Sequence, residues 1–106
     1  ERNGMKVLAA RVDDLDDKAL RELADRLKEE LGSGVVALGA AQDGKVSLVA
    51  AVSKDLTKRV HAGNLIKRIA PVVGGNGGGR ADFAQAGGRD AGRLDEALAM
   101  VPELVA

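Results

Sequence analysis

Residues 35 to 52 read Val35-Val36-Ala37-Leu38-Gly39-Ala40-Ala41, then Gln42-Asp43-Gly44, then Lys45-Val46-Ser47-Leu48-Val49-Ala50-Ala51-Val52. Two apolar runs rich in β-branched residues flank an Asp-Gly pair, and Asp-Gly between such runs is a strong short-range signal for a tight β-hairpin. The two runs are expected to pair antiparallel and to seed a sheet. Upstream, Leu20, Leu23, Ala24, Leu27 and Leu31 recur at the spacing of one helical face from Asp17 onward, with Gly32 and Gly34 as the stop. Asp13, Asp14, Asp16 and Asp17 before them suit the positive end of a helix dipole, and Met5 to Val12 reads as a short strand. Downstream, helical rhythm returns from His61 to Val73 through Leu65, Ile66, Ile69 and Ala70, with Pro71 near the end. A glycine-rich loop is expected next, then a short strand around Phe83 to Ala86. A last helix capped by Asp90 then carries Leu94, Ala97, Leu98 and Val101 on one face. The order β-α-β-β-α-β-α places the chain in the α+β (mixed α/β) class, with helices packed on a single sheet of four to five strands.

The chain has 106 residues, of which 45% are apolar and 30% charged, with two prolines, one histidine and no cysteine. That is one core's worth of protein, read as a single domain over 1–106. Disulfides and thiolate metal sites are excluded, and His61 alone makes no histidine cluster, so no metal or cofactor is expected in this fragment. No uncharged apolar run approaches the ~20 residues of a membrane span, so no membrane partner is expected. The first residue is Glu1. Its place, without an initiator methionine, is read as a fragment of a longer chain, and the lack of cysteine fits a reducing, cytoplasmic compartment.

Net charge is zero, yet the charges are sorted. Residues 13 to 30 hold eight acids against four bases, while residues 54 to 93 hold eight bases against three acids. A basic half in a neutral chain points to a polyanion partner. The candidate contacts are Lys54, Lys58, Arg59, His61, Asn64, Lys67 and Arg68 on and before the second helix, and Gly77, Gly78, Gly79, Arg80, Gln85 and Arg89 in and after the glycine run.

That run lacks the Gly-Lys-Ser/Thr of a nucleotide-cradling loop and matches no dinucleotide pattern. Two readings stay open: a flexible, donor-rich loop that touches phosphates, or a tight structural turn. Gly78 is expected at a positive φ or a close backbone approach. His61 reads as a helix cap or a phosphate contact. The four aspartates lack the glycine and distal glutamate of a calcium loop and read as helix-capping residues. Phe83 is the sole aromatic residue, which leaves no set of stacking platforms for splayed bases, so a nucleic acid would be held by backbone and shape.

Val60-His61-Ala62-Gly63-Asn64-Leu65-Ile66-Lys67, then Val73-Gly74-Gly75-Asn76-Gly77-Gly78-Gly79-Arg80-Ala81-Asp82-Phe83-Ala84-Gln85-Ala86-Gly87-Gly88, then Leu94-Asp95-Glu96-Ala97-Leu98, resembles the C-terminal, DHH-associated domain of alanyl-tRNA synthetases. The match runs in order over about half the chain and departs at Ala81, where the family usually has proline. The resemblance implies a tRNA-binding module that contacts the elbow of alanine-specific tRNA. It implies no catalysis by the module alone, in a parent that joins alanine to tRNA with ATP and Mg²⁺ and edits with Zn²⁺ bound elsewhere. Other domains of the parent synthetase are implied partners. A self-association module forming a homodimer through apolar helix faces is an alternative. Another is the substrate-binding half of a DHH-type phosphoesterase, whose glycine loop ends in histidine where this chain has Arg80.

Overall fold

The computed structural model describes residues 6–105, so Met5, expected at the head of the first strand, lies outside the described residues. Strand β1 (Lys6–Arg11) leads through α1 (Asp17–Leu31) to the hairpin β2 (Gly34–Gln42) and β3 (Lys45–Val52). Then come α2 (Ala62–Ile69), the hairpin β4 (Asn76–Gly79) and β5 (Phe83–Gly88), and two short helices, α3 (Leu94–Ala99) and α4 (Val101–Leu104). One five-stranded sheet forms in the order β1-β2-β3-β5-β4, with only β1 and β2 parallel. The class is the mixed α+β expected, and the hairpin turns where the Asp-Gly pair places it. Gln42 pairs with Lys45, and Asp43 (φ 52°) with Gly44 (φ 78°) takes the left-handed pair of conformations that matches strand twist.

Alternate side chains of the central strands point to opposite layers. On one face Leu20 and Ala24 of α1 pack over Val36, Leu38, Val49 and Ala51. On the other, Ile66 and Ile69 of α2, Leu94 of α3 and Val101 of α4 pack over Val35, Ala37, Leu48 and Ala50. Each large side chain so buried contributes roughly 1.5–3 kcal/mol. Asp16 caps α1, its Oδ1 accepting from the Ala19 N–H at 2.8 Å, and Gly32 closes the helix with its N–H on the Lys28 and Glu29 carbonyls.

Three expectations need correction. The glycine run is not a loop: residues 76–79 are edge strand β4, and the order gains a strand. The chain leaves β3, passes over the sheet as α2, lays β4 one place further out, and returns β5 into the gap. Helix α2 ends at Ile69, and Ala70–Val73 tightens into a 3₁₀ turn that holds Pro71 in its first positions. Asp90 makes no side-chain cap. It precedes the 3₁₀ turn Ala91–Arg93 and receives the Arg93 N–H on its backbone carbonyl, so α3 starts four residues later.

Asp13 ties three elements. Its carboxylate takes the Arg11 Nε–H at 2.9 Å and the Ala41 N–H at 3.0 Å, while Arg11 also reaches Asp95 at the start of α3. The Arg11 guanidinium bond, then the Ala41 amide, hold the Asp13 carboxyl below its ordinary value. Asp55 is lowered by the Ser33 hydroxyl, at 2.5 Å, then by Ser53, and Glu96 by its bonded Arg93. A carboxyl lowered on folding adds stability that is complete above its unfolded value and is lost as pH falls through the folded one. Urea midpoints are therefore expected to stay level from neutral pH to about pH 5 and to fall below about pH 4. For Asp13→Asn that acid-side fall is expected to be shallower. An unchanged acid limb in the variant would refute the role of this corner.

Candidate nucleic-acid interface

The β4–β5 turn holds the N-terminus of α2. The Ala62 N–H donates to the Ala81 carbonyl at 2.8 Å and the Gly63 N–H to the Arg80 carbonyl at 3.0 Å, while the Asn64 N–H is taken by His61 Nδ1 at 3.1 Å. The donors that a helix N-terminus offers to an anion are thus spent internally. Around the glycine run the N–H groups of Gly74, Gly75 and Arg80 are likewise bonded, to the carbonyls of Pro71, Ala70 and Phe83. Of the two readings left open by the sequence, the segment is neither a free loop nor a tight turn but an edge strand paired with β5, with bonded flanks.

Glycine is required here by space. A methyl on Gly75 would sit 1.7 Å from the Gly87 carbonyl oxygen, and one on Gly63 2.6 Å from that of Gly79. Gly78, expected to be the strained position, has neither a positive φ nor a close backbone neighbour. A methyl there would meet only Lys67 Cε at 3.2 Å.

The predicted contacts divide among several places. Lys58, Arg59, His61, Asn64 and Arg68 line one open groove, walled by Leu65, Leu104 and Val105, and among the described residues lining it there is no carboxylate. His61, Asn64, Lys67 and Arg68 are exposed on the outer face of α2, because Leu65, Ile66 and Ile69 turn into the core. Lys67 lies over Gly78, which carries the cationic face onto β4, where Gly77 and Gly79 are exposed along the sheet edge. Lys54 stands on the short turn after β3, and Arg89 at the corner formed by Gly74, Gly75 and Asn76.

Two residues face elsewhere. Gln85 pairs with Val49 and shares that strand's other face, in a concavity with Asp16, Asp17 and Asp43. Arg80 pairs with Asp82 at 3.4 Å and reaches toward α1, where it lies with Lys18, Arg21 and Lys28 and with the acids Glu22 and Asp25. Those three bases were hidden in the acidic stretch. Their spacing along α1 puts them on one face and was the signal that could have found them. Among the described residues no three His, Asp or Glu side chains gather as a metal site. The aspartates have separate duties: Asp13 in the corner, Asp16 as cap, Asp17 accepting from the Ser47 hydroxyl. Among the described residues no helix is long and apolar enough to cross a membrane.

The DHHA1 domain family model matches residues 4–106. The chain is 61% identical over 103 residues to the alanine–tRNA ligase of Anaeromyxobacter dehalogenans (97% of this chain, 11% of the relative), and 56% identical over 102 residues to that of Chromohalobacter salexigens (96% and 12%). It therefore spans about a ninth of the length of these relatives. It also matches the crystal structure of the C-Ala domain from Aquifex aeolicus alanyl-tRNA synthetase, with a TM-score of 0.92 and 30% identity over 99% of this chain and 95% of that one.

Thermal melting is expected to separate the glycines. Gly75→Ala should lose about 2–3 kcal/mol, or fail to fold, because backbone must move, while Gly78→Ala should melt within a few degrees of the parent because Lys67 can swing aside. The reverse ranking would contradict the packing described. At the cap, His61→Ala should lower the urea-derived stability by about 1 kcal/mol and His61→Asn should retain most of it, since Asn accepts the same N–H. Equal losses in both variants would show that His61 stabilises by something other than capping.

Proposed function

The chain belongs to the DHHA1 domain family, of the C-Ala kind found in alanyl-tRNA synthetase, and on that premise we propose that it is an accessory module that holds alanine-specific tRNA at its elbow. The observation that carries this reading is the exposed α2 face with its adjoining groove: Lys58, Arg59 and Arg68 line the groove, and Lys67 stands exposed next to Arg68 on the helix, over β4. Cations on long flexible stems follow a phosphate backbone without reading sequence, which suits a folded RNA recognised by shape. The exposed amide of Asn64 can meet a 2′-hydroxyl or a phosphate.

By itself the module is non-catalytic. It supports charging and editing by the other domains of its cytoplasmic synthetase, where ATP, Mg²⁺ and Zn²⁺ would be held. The apolar helix faces invoked for self-association are turned into the core, and among the described residues no large hydrophobic side chain is exposed.

A binding titration of the chain with intact tRNA over increasing salt tests the proposal. Affinity should fall steeply, with a log–log slope of about −0.9 for each phosphate neutralised by the duplex estimate. Lys67→Ala with Arg68→Ala should weaken binding and make the slope shallower by about 2. A minihelix lacking the elbow should bind far more weakly. A flat salt response, or equal affinity for the minihelix, would overturn the reading.

A further inference from the structure

The chain's one aromatic side chain lies apart from the α2 face. Phe83 begins β5 half-buried against α1 and lines an open groove of about 350 Å³. Arg80 and Asp82 stand beside it from the β4–β5 turn, and Arg21, Asp25 and Lys28 face them from α1. The turn is pinned on both sides, by the Arg80 N–H on the Phe83 carbonyl at 2.8 Å and the Val52 N–H on the Asp82 carbonyl at 2.9 Å. Lys28 lies 4.0 Å from Asp25 and is only 22% exposed. Arg80, 3.4 Å from Asp82, keeps 78% of its side chain in solvent.

Groups of this kind divide the parts of a nucleotide among them. A flat apolar face and a guanidinium plane stack on a base. Carboxylates accept N–H donors from its Watson–Crick edge, and flanking cations meet phosphate. A free anion would use the cations alone and make no use of the ring, while the carboxylates, paired here with Lys28 and Arg80, would stand against it. Guanine presents two adjacent donors, N1–H and N2–H, to a carboxylate, whereas adenine presents only its amino group. We propose that the groove between α1 and the β4–β5 turn is a nucleobase site that takes an unstacked guanine of the bound RNA. The proposal rests on the reading of the chain as an RNA-binding module, and it places a second contact across the sheet from the α2 face.

Amide-resolved NMR of the chain with mononucleotides tests the site without tRNA, so its outcome is separate from that of the tRNA titration. Guanosine 5′-monophosphate is expected to shift the amides of residues 80–83 and 21–28 saturably. Adenosine 5′-monophosphate should bind at least several-fold more weakly, and ribose 5-phosphate should leave these amides unmoved. Phe83→Leu, which keeps an apolar side chain against α1, should weaken the guanosine nucleotide on the order of tenfold while the rest of the spectrum shows the fold intact. Equal shifts with ribose 5-phosphate would reduce the groove to an anion contact and overturn the proposal. So would equal shifts with the adenosine nucleotide, no shift with any nucleotide, or a Phe83→Leu variant that binds unchanged.

Discussion

Helix α2 is seated on the β4–β5 hairpin by two main-chain hydrogen bonds, Ala62 to Ala81 and Gly63 to Arg80, and by the missing Cβ of Gly63, where the Gly79 carbonyl comes close. The height of α2 over the sheet depends on that seat. It decides that Leu65, Ile66 and Ile69 reach the core while Asn64, Lys67 and Arg68 stay outside. The same bonds fix the turn that carries Arg80. Because the helix's leading donors are consumed, positive potential on this side of the molecule comes from side chains.

That source of charge has a functional consequence. A cradle of backbone amides would enclose one phosphate in fixed geometry, whereas lysine and arginine stems adapt to a surface. The acids lie elsewhere: Asp16, Asp17 and Asp43 surround the concavity that contains Gln85, on the opposite face of the sheet from α2. A polyanion is thus drawn to the α2 face and repelled from that concavity. The zero net charge hides this sorting. Arg80 sits at the boundary, reaching past the sheet edge toward the bases of α1.

Much of the fold was legible because it is written in apolar periodicity. The β2–β3 hairpin, α1 and α2 each bury a regular set of side chains, and the Asp-Gly turn carries its own backbone requirement. Strand β4 was illegible because Asn76-Gly77-Gly78-Gly79 has no side-chain pattern to read. Its pairing is dictated by β5 and by the space beneath α2. For the same reason the wrong glycine looked critical: Gly75 and Gly63 meet carbonyls contributed by other elements, and Gly78 meets only a mobile lysine. The cationic residues of α2 were found together because a helix face follows from spacing. Gln85 and Arg80 parted from them through strand alternation and the direction of a turn, neither of which was fixed until the sheet order was known.

The central claim is that the α2 face carries the RNA, and lysine footprinting addresses it most directly. The chain is treated with an amine-acylating reagent, with and without intact tRNA, and modification at each lysine is read by mass spectrometry. The account predicts that tRNA protects Lys58 and Lys67 while Lys45, across the sheet among the acids, reacts at its free rate. Unchanged modification of Lys58 and Lys67 under saturating tRNA, or protection centred on Lys45, would contradict it.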